Sequence, residues 1–374
     1  MILERLEARS FRNYESLTVE PGPGVNVFVG DNAQGKSNIL EAIYLLATTK
    51  SFRTSRDTEV IRSGSSETVI NGNVRREDEL SAEVEIRISE TERKSARING
   101  ARAARAVDLL GVLQAVFFGA LDLRLVNGEP AARRNYMNLA ISQVKPAYCN
   151  DLGSYRRVLL HRNSLLKRLR DQWFCDNGLE AWNQQLALYG SRLIGARRLL
   201  ADEVARLAGT AHEELSGGLE EFTVAYVPSP SVPEAAGAGD IMSAFLDTLA
   251  RLSEEEIRRG TTLAGPQRDD LRFRINGMEV RTYGSQGQQR TAVLSLKLAE
   301  LSFIEAASGE RPVMLLDDVM SDLDDERRTR LMERVKGRCQ VFITCTNLRG
   351  FSSDLLENAA IFDVAGGTVQ RRSA

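Results

Sequence analysis

Apolar and polar positions alternate with a period of two along the first hundred residues. This pattern predicts strands at residues 2–8, 25–29, 69–74 and 82–88. Towards the end of this segment Asn99-Gly100 favours a type I′ turn, which closes a hairpin. The chain is therefore expected to begin with sheet.

The middle of the chain has a helical period instead. Residues 130–211 are rich in leucine and arginine and have few glycines or prolines, so they predict long helices with boundaries near Pro146 and Gly178. A strand is predicted at residues 222–227. Residues 228–240 are rich in Pro, Gly, Ser and Ala and predict a loop.

Helices and strands alternate again in the C-terminal part. After a helix at residues 241–259 and a second hairpin turn at Asn276-Gly277, the pattern predicts a helix at 286–307, a strand at 313–316, a helix at 324–335 and a strand at 340–344. Strands separated by helices of this length are typical of a parallel sheet. The chain is predicted to be an α/β protein split by a helical insertion.

A phosphate-binding loop is predicted between the strand at 25–29 and the helical pattern that follows. Lys36 would reach the β- and γ-phosphates of ATP, and the Ser37 hydroxyl would bind Mg²⁺. Backbone N–H groups of such a loop surround a phosphate at a helix N-terminus. The alternative is a glycine turn that carries Lys-Ser by chance. The motif GxxxxGK[ST] is matched by Gly30, Asp31, Asn32, Ala33, Gln34, Gly35, Lys36 and Ser37, and Asn38 follows in the helix.

Two carboxylates follow the apolar strand at residues 313–316. Asp317 is the predicted Mg²⁺ partner, and Asp318 is placed to orient or deprotonate the attacking water. A polar turn after a buried strand is the alternative. Thr344 ends the next strand, where its hydroxyl could sense the γ-phosphate but is a poor base.

A Ser-x-Gly-Gln segment opens the helix predicted at 286–307. It consists of Ser285, Gln286, Gly287 and Gln288. In ABC-type ATPases a similar segment donates to the γ-phosphate held by the opposite subunit, with helix-terminal N–H groups, a hydroxyl and a glycine facing the anion. The alternative is a helix N-cap at Ser285.

Of two other short motifs, one is rejected as an ATPase signature and the other is retained. The sequence Leu-Ser-Gly-Gly at residues 215–218 looks closer to the signature of transporters, but Leu219 replaces the glutamine and no helix follows, so we predict a turn. Residues 321–324 match the loop that crosses to the partner subunit in ABC-type ATPases, with Asp322 inside it. An N-cap for the following helix is a compatible interpretation.

Together these residues resemble the RecF family, the SMC-like ABC ATPases of bacterial recombinational repair. The resemblance runs along nearly the whole chain. It departs from the family pattern at Gln267, at Asn138 and at residues 119–121. The segments that carry it are residues 11–14, 30–48 and 122–126, Pro130 with Arg133-Arg134, and residues 162–167, 265–271, 285–290 and 315–324.

The resemblance implies an ABC-type P-loop ATPase core with a mixed sheet and an inserted helical arm. It implies a dimer that forms around ATP, binds DNA, hydrolyses ATP slowly, and acts with RecO and RecR to load a recombinase at single-strand gaps. By the same resemblance Arg12 contacts the nucleotide. The expected division is a core at residues 1–123, an arm at 124–260, and the rest of the core at 261–374.

Composition excludes some classes and leaves others open. The net charge is −2, from 49 basic and 51 acidic residues, so DNA binding would need clustered cations rather than an overall positive charge. No apolar run is long enough for a membrane span, and the N-terminus is not a signal peptide. The four scattered cysteines and two histidines lack metal-ligand spacing, which favours a reducing cytoplasm and no zinc site.

Cationic residues in the helical middle are the candidate DNA contacts. Cations of this kind bind backbone phosphates without reading sequence. A solvated helix face beside acidic neighbours is the alternative for each of them. For Arg124, Arg133 and Arg134 the alternative is that they brace the arm against the core. The candidates are Arg156, Arg157, Arg162, Lys167, Arg168 and Arg170, followed by Arg192, Arg197 and Arg198.

Two other functions remain open from the sequence. A transporter energy subunit shares the ABC core, although the helical insertion and the absent LSGGQ argue against it. The ATPase half of an SMC-like nuclease or phage-defence complex is the other alternative. Such a complex would need another chain for cleavage, because no metal-ligand cluster is visible.

Overall fold

The computed structural model describes residues 1–172, 178–233, 237–321 and 323–372. Within these ranges the chain forms two compact units. The first comprises residues 1–123, 210–220 and 290–374, and the second comprises residues 124–209 and 221–289. Cys175, residues 234–236 of the predicted loop, and Asp322 lie outside the described residues.

The strands carry the labels used below. They are β1 (Ile2–Phe11), β2 (Tyr14–Val19), β3 (Val25–Val29), β4 (Glu67–Arg75), β5 (Ser81–Ser89), β6 (Ser95–Ile98), β7 (Ala101–Arg102), β8 (Ala115–Gly119), β9 (Phe222–Val227), β10 (Asp270–Ile275), β11 (Met278–Glu279), β12 (Val313–Asp317), β13 (Val341–Cys345), β14 (Ala360–Ala365) and β15 (Thr368–Arg371).

The α-helices are labelled in the same way. They are α1 (Lys36–Thr48), α2 (Arg124–Asn127), α3 (Pro130–Val144), α4 (Pro146–Gln172), α5 (Gly178–Ser216), α6 (Ala238–Arg259), α7 (Val280–Tyr283), α8 (Gln286–Ser308), α9 (Asp325–Val335) and α10 (Ser353–Glu357). Among the described residues, no helix has both the length and the apolar character that crossing a bilayer requires.

Among its described residues the first unit contains two six-stranded sheets. One is antiparallel, in the order β2-β1-β4-β5-β6-β7. The other has the order β15-β14-β3-β13-β12-β8, and all its neighbours are parallel except β15 against β14. Every residue of β3 is buried, as expected for a central parallel strand covered on both faces. The predicted α/β class with a mixed sheet is confirmed.

Both predicted hairpin turns are present. Asn99-Gly100 joins β6 to β7, and Asn276-Gly277 joins β10 to β11. The φ angles are 50° and 76° in the first turn and 50° and 79° in the second. Two successive residues with positive φ define the type I′ turn that the Asn-Gly pairs predicted.

Several boundaries were not predicted from the sequence. The strands β8, β14 and β15 complete the mixed sheet, although their short segments gave no clear period. The helix α6 begins at Ala238 rather than 241, because the Asp240 carboxylate accepts a hydrogen bond from the Gly237 N–H at 2.9 Å. This contact caps the helix one turn earlier.

The division into units differs from the predicted boundary after residue 260. Residues 261–289 belong to the second unit, because β10 pairs with β9 over six residues in an antiparallel ladder. Residues 210–220 belong to the first unit, where Arg330 donates to the Glu214 carbonyl oxygen at 2.6 Å.

The second unit contains a fully buried ion pair. Arg162 on α4 and Glu256 on α6 both have no exposed side-chain surface, and Arg162 Nη2 donates to Glu256 Oε2 at 2.6 Å. Asn183 and Thr262 accept its other hydrogen bonds, each at 2.8 Å. A buried guanidinium with this many acceptors is a structural element of the unit.

Arg162→Ala is expected to lower the free energy of unfolding of the second unit by about 3–5 kcal/mol, because Glu256 is left buried without its counter-ion. Chemical denaturation measures the change. Arg168→Ala removes an exposed arginine from the same helix and is the control, with an expected change within about 0.5 kcal/mol. Equal losses in the two variants would contradict the structural role.

Candidate functional site

The predicted phosphate loop lies between β3 and α1 in the first unit. Gly35 precedes α1 with a φ of 116°, a conformation that side chains rarely adopt. A Cβ on Gly35 would lie 2.6 Å from Asn13 Nδ2, and one on Gly30 would lie 2.1 Å from the Val364 carbonyl oxygen. Both positions therefore require glycine, because a side chain at either one would collide with neighbouring atoms.

The Lys36 side chain folds back over this loop. Its Nζ donates to the carbonyl oxygens of Gly30 at 2.7 Å and Asp31 at 2.8 Å, and the residue is only 7% exposed. Gln34 holds the far side of the loop, since its Oε1 accepts from the Gly366 N–H at 2.7 Å. The ammonium group is thereby held within the loop, where an anion would meet it.

The two acidic residues lie at the end of β12, beside the neighbouring strand β13. Asp317 and Thr344 are paired in the parallel register, and Thr344 Oγ1 donates to Asp317 Oδ1 at 2.8 Å. The same hydroxyl accepts from the Asp318 N–H at 2.9 Å. One threonine hydroxyl thus links both acidic residues and fixes their position.

Asp318 has an unusual backbone conformation. Its φ is 55°, in the left-handed region that aspartate tolerates better than most residues. Ser321 Oγ donates to the Asp318 carbonyl oxygen at 2.8 Å and lies 3.3 Å from Oδ1. Asp318 is exposed and lines the cavity described next.

An open cavity of about 270 Å³ brings most of these groups together. It lies entirely within the first unit. Gly30, Asp31, Gln34 and Asp317 support this cavity without being among its lining residues. The predicted residues that line it are Asn32, Ala33, Gly35, Lys36, Ser37, Asn38, Asp318 and Thr344.

Arg53 also lines this cavity and was not predicted from the sequence. Its Nη1 donates to Asn38 Oδ1 at 2.6 Å, and its Nη2 lies 4.0 Å from Asp317 Oδ2. The guanidinium lies 5.5 Å from the centre of the Phe52 ring. No local motif surrounds this arginine, so only the tertiary structure brings it to the site.

Arg12, predicted to contact the nucleotide, does not line the cavity, and its guanidinium donates to protein acceptors. Its Nε and Nη2 donate to the two oxygens of Glu41 at 2.9 and 2.6 Å, and Nη1 donates to the Glu59 carbonyl oxygen at 2.7 Å. Glu41 is fully buried in α1. The neighbouring Asn13 contacts the phosphate loop instead, through a hydrogen bond from Nδ2 to the Gln34 carbonyl oxygen at 3.0 Å.

The residues at the loop fit a nucleotide and Mg²⁺. The Tyr14 hydroxyl is buried beside Gly35 and has no hydrogen-bond partner among the described residues, and burial raises its pKa. The oxygens of Ser37 and Asp317 suit Mg²⁺. The described residues contain no cluster of three or more His, Cys, Asp or Glu that could hold a metal ion. Few protein ligands are typical of Mg²⁺ that is bound with phosphates.

Ser285 lies in the second unit, directly before α8, and is exposed. Its N–H donates to Gln288 Oε1 at 2.9 Å, while its Oγ accepts from the Gln288 N–H at 3.2 Å. These reciprocal bonds form a capping box, so the N-cap interpretation of Ser285 holds. Because Ser285 and Gln286 are exposed, the cap leaves this helix end accessible to another molecule.

The predicted turn at the Leu-Ser-Gly-Gly segment is present only at its two glycines, since Leu215 and Ser216 are the last residues of α5. The helix α5 ends at Ser216, and Gly217 and Gly218 follow with φ angles of 72° and 77°. Asp324 caps α9 by accepting from the Arg327 N–H at 2.8 Å. The predicted role of Asp322 concerns a residue outside the described ranges.

The structure corrects two of the predicted DNA contacts. Arg162 and Arg197 are buried, with exposures of 0% and 2%, and are paired with Glu256 and Asp269. Charge periodicity cannot distinguish a solvated arginine from one whose acidic partner lies far along the chain. The other candidates are exposed or half-buried: Arg156, Arg157, Lys167, Arg168, Arg170, Arg192 and Arg198.

Arg133 pairs with an acidic residue of its own unit, the second, whereas the prediction for it was a contact between the arm and the core. It is 3% exposed and forms a bidentate pair with Asp270, at 2.6 Å from Nε and 3.0 Å from Nη2. Asn138, one of the departures from the family pattern, accepts from Arg197 Nη2 at 2.9 Å. Gln267, another departure, accepts a hydrogen bond from the Tyr155 hydroxyl.

Comparison with known proteins finds one family along the whole chain. Residues 2–369 match the family described as the RecF/RecN/SMC N terminal domain. The chain is 41% identical over 370 residues to the DNA replication and repair protein RecF of Geobacillus kaustophilus, covering 99% of both chains. It is 42% identical over 386 residues to the protein of the same name from Synechocystis, covering 100% of this chain and 98% of the relative.

Solved structures agree with the sequence relatives. A structure described as the recombination mediator protein RecF with ATP in the RecFOR pathway has a TM-score of 0.92 at 33% identity, over 99% of this chain and 97% of that one. An Smc head bound to a domain of ScpA has a TM-score of 0.56 at 16% identity, over 100% of this chain and 98% of that one. The second likeness shows the fold alone.

Proposed function

This chain belongs to the RecF family, and on that premise we propose that it is an ATP-dependent DNA-binding protein of recombinational repair and replication-fork maintenance. The observation that carries the proposal is that Lys36, Ser37 and Asp318 line the same cavity. In the proposed function Lys36 binds phosphate, Ser37 binds Mg²⁺, and the Asp318 carboxylate takes part in hydrolysis. The solved RecF structures with ATP and an ATP analogue support ATP as the nucleotide.

The proposed roles of the loop residues follow from their chemistry. The loop from Gly30 to Ser37 would surround the phosphates with N–H groups at the start of α1. Lys36 would exchange its two carbonyl acceptors for phosphate oxygens, and Arg53 would supply a second cation. Ser37 and Asp317 would hold Mg²⁺, which neutralises charge on the phosphates when it is bound. Arg12 is proposed to act through Glu41 and the loop.

Hydrolysis is proposed to depend on Asp318. Its exposed carboxylate lines the cavity and would orient the attacking water and accept its proton. Thr344 would be a positioning residue, because its hydroxyl already bonds to both acidic residues. We propose a slow ATPase that DNA stimulates.

The proposed switch is a homodimer closed around two ATP molecules. The γ-phosphate bound at Lys36 of one subunit would also accept from the exposed helix end at Ser285, Gln286, Gly287 and Gln288 of the other, with Asp322 in the crossing loop. Residues 1–123 and 261–374 would then form the ATPase core, and residues 124–260 the DNA-binding arm. RecO- and RecR-like proteins are the proposed partners, in the cytoplasm, and loading of a recombinase at gaps is the proposed outcome.

A non-hydrolysable ATP analogue with Mg²⁺ is expected to convert monomers to dimers, because only a γ-phosphate completes the proposed joint. ADP is the matched control and is expected to leave monomers. Sedimentation measures the mass. Binding to gapped, single-stranded and duplex DNA across salt concentrations then tests the DNA function, with an affinity that rises with the analogue and falls steeply with salt. A mass that stays monomeric with the analogue would refute the switch.

A further inference from the structure

We propose that the second unit contains a phosphate-binding site, formed by a pocket on α3 and α4 that we call the basic pocket. Its volume is about 230 Å³. Its lining includes Arg134, Arg156 and Arg197 together with the side-chain amides of Asn135 and Asn138, and it includes no acidic residue. The pocket lies wholly within the second unit and shares no residue with the nucleotide cavity.

The positive charge of the basic pocket is only partly balanced within the protein. Asp269 pairs with Arg197 at 2.6 Å, and Asp270 pairs with Arg133 outside the lining. Arg134 donates Nη1 to a backbone carbonyl oxygen, that of Asp269, at 3.0 Å rather than to a carboxylate. Among the described residues Arg134 forms no ion pair of its own, and Asp269 and Asp270, which attract it, are each paired with another arginine.

Arg156 adds a second such charge. It is exposed on α4, and across the ranges that the structure describes no carboxylate lies within ion-pair distance of it. Burial and the neighbouring Arg197 lower the pKa of Arg134, so the pocket disfavours the charge of this guanidinium in the absence of an anion. A bound oxyanion would relieve this repulsion.

Hydrogen-bond donors of the pocket also lack acceptors. The Asn138 Oδ1 atom accepts from the Tyr148 hydroxyl at 2.7 Å and from Arg197 Nη2 at 2.9 Å, so the amide orientation is fixed and Nδ2 remains as a donor. The exposed side chain of Asn135 has no partner in the part of the chain described. Two guanidinium groups and two amides around one pocket suit the several oxygens of a phosphate.

The shared chemistry is a phosphate group, and its carrier is either free phosphate or the backbone of DNA. The DNA carrier rests on the proposed function, whereas the site itself does not. It is also supported by two further exposed cations on the same helix, Arg157 and Lys167, which could bind other phosphates of the DNA backbone. A backbone phosphate bound in a pocket would set the position of DNA without reading its sequence.

Matched variants test the site in the full chain. Arg156→Gln removes a cation from the pocket, and Arg157→Gln removes the adjacent exposed cation that does not line it. Asn138→Asp adds a negative charge, yet it retains the acceptor for Tyr148 and Arg197, so folding is preserved. Arg156→Lys restores the charge. Inorganic phosphate is titrated, and the rise in unfolding temperature with its concentration gives the affinity.

Wild-type protein, Arg157→Gln and Arg156→Lys are expected to bind phosphate similarly, while Arg156→Gln and Asn138→Asp bind at least about tenfold more weakly. Identical titrations for all five proteins would overturn the proposal, since only non-specific stabilisation would remain. The same variants are then compared on duplex DNA without nucleotide. A parallel loss identifies the DNA backbone as the carrier, and an unchanged DNA affinity identifies free phosphate. Absence of all DNA binding with the phosphate difference retained would refute the proposed function alone.

Discussion

Asp318→Asn is expected to trap the chain as a dimer in the presence of ATP, whereas Lys36→Ala is expected to prevent the dimer from forming. The asparagine has the same shape, and its Oδ1 can still accept from Ser321 Oγ, so ATP binding should be retained. It cannot accept a proton from water. A general base contributes about 100- to 10,000-fold to a rate, which sets the expected loss of hydrolysis.

The Lys36→Ala variant fails one step earlier. The ammonium group lies inside the phosphate loop, 2.7 Å from the Gly30 carbonyl oxygen, and its loss leaves the phosphates without their nearest cation. A charge-assisted hydrogen bond is worth about 1.5–3 kcal/mol, which corresponds to about 10- to 100-fold in ATP affinity.

Sedimentation, phosphate release and nucleotide titration separate the two variants. Asp354→Asn removes an exposed carboxylate from α10, away from the cavity lining, and is the control for the loss of a charge. Equal amounts of dimer in Asp318→Asn and Lys36→Ala would show that the two roles are assigned incorrectly.

The Ser285→Arg variant is expected to abolish the ATP-dependent dimer while leaving ATP binding by each monomer unchanged. Ser285 is exposed at the N-terminus of α8, so an arginine there would obstruct the surface that is proposed to meet the partner's γ-phosphate. The nucleotide cavity lies in the first unit and does not include this residue. Nucleotide titration and sedimentation measure the two properties independently.

The matched control for this variant is Ser352→Arg. Ser352 is an exposed serine that caps α10 by accepting from the Leu355 N–H, so the control has the same change of side chain and the same loss of a helix cap, worth about 1 kcal/mol. It is expected to dimerise normally. A dimer of normal stability in Ser285→Arg would eliminate the proposed role of this helix end.

Mixing Ser285→Arg with Lys36→Ala gives a still sharper result. In a symmetric dimer the mixed pair contains one complete site, with Lys36 from the first variant and Ser285 from the second. ATP-dependent dimers and no more than about half of the wild-type hydrolysis are expected to return, because one site of two is intact and the introduced arginine faces only the loop that has already lost Lys36. If the mixture stays as inactive as its components, the site is not shared between subunits.

Local chemistry explains why much of the nucleotide cavity could be predicted. The residues from Gly30 to Ser37 are adjacent in sequence, and strand, loop and helix are each indicated by short-range patterns. Asp317 and Asp318 were likewise found from one apolar strand. By contrast, Arg53 enters the cavity through contacts with Asn38 and Asp317, and nothing near it in the sequence indicates those partners.

The basic residues of the long helices show again that local patterns do not reveal long-range partners. The helical period correctly predicted long helices, but it did not separate exposed arginines from buried ones. Arg197 is buried because Asp269, seventy-two residues further along the chain, pairs with it. The predicted boundary after residue 260 differed for a related reason, since the pairing of β10 with β9 is a long-range contact.

By itself, the sequence determined the α/β class, the two Asn-Gly hairpins, the glycine-containing loop between β3 and α1 and the acidic end of β12, because each depends on neighbours within a few residues. Only the tertiary structure decided which arginines pair with buried acids, that Thr344 links Asp317 to Asp318, and that Arg134, Arg156 and Asn138 share a pocket. Those arrangements depend on hydrogen bonds and burial between segments far apart in the chain, which no local pattern encodes.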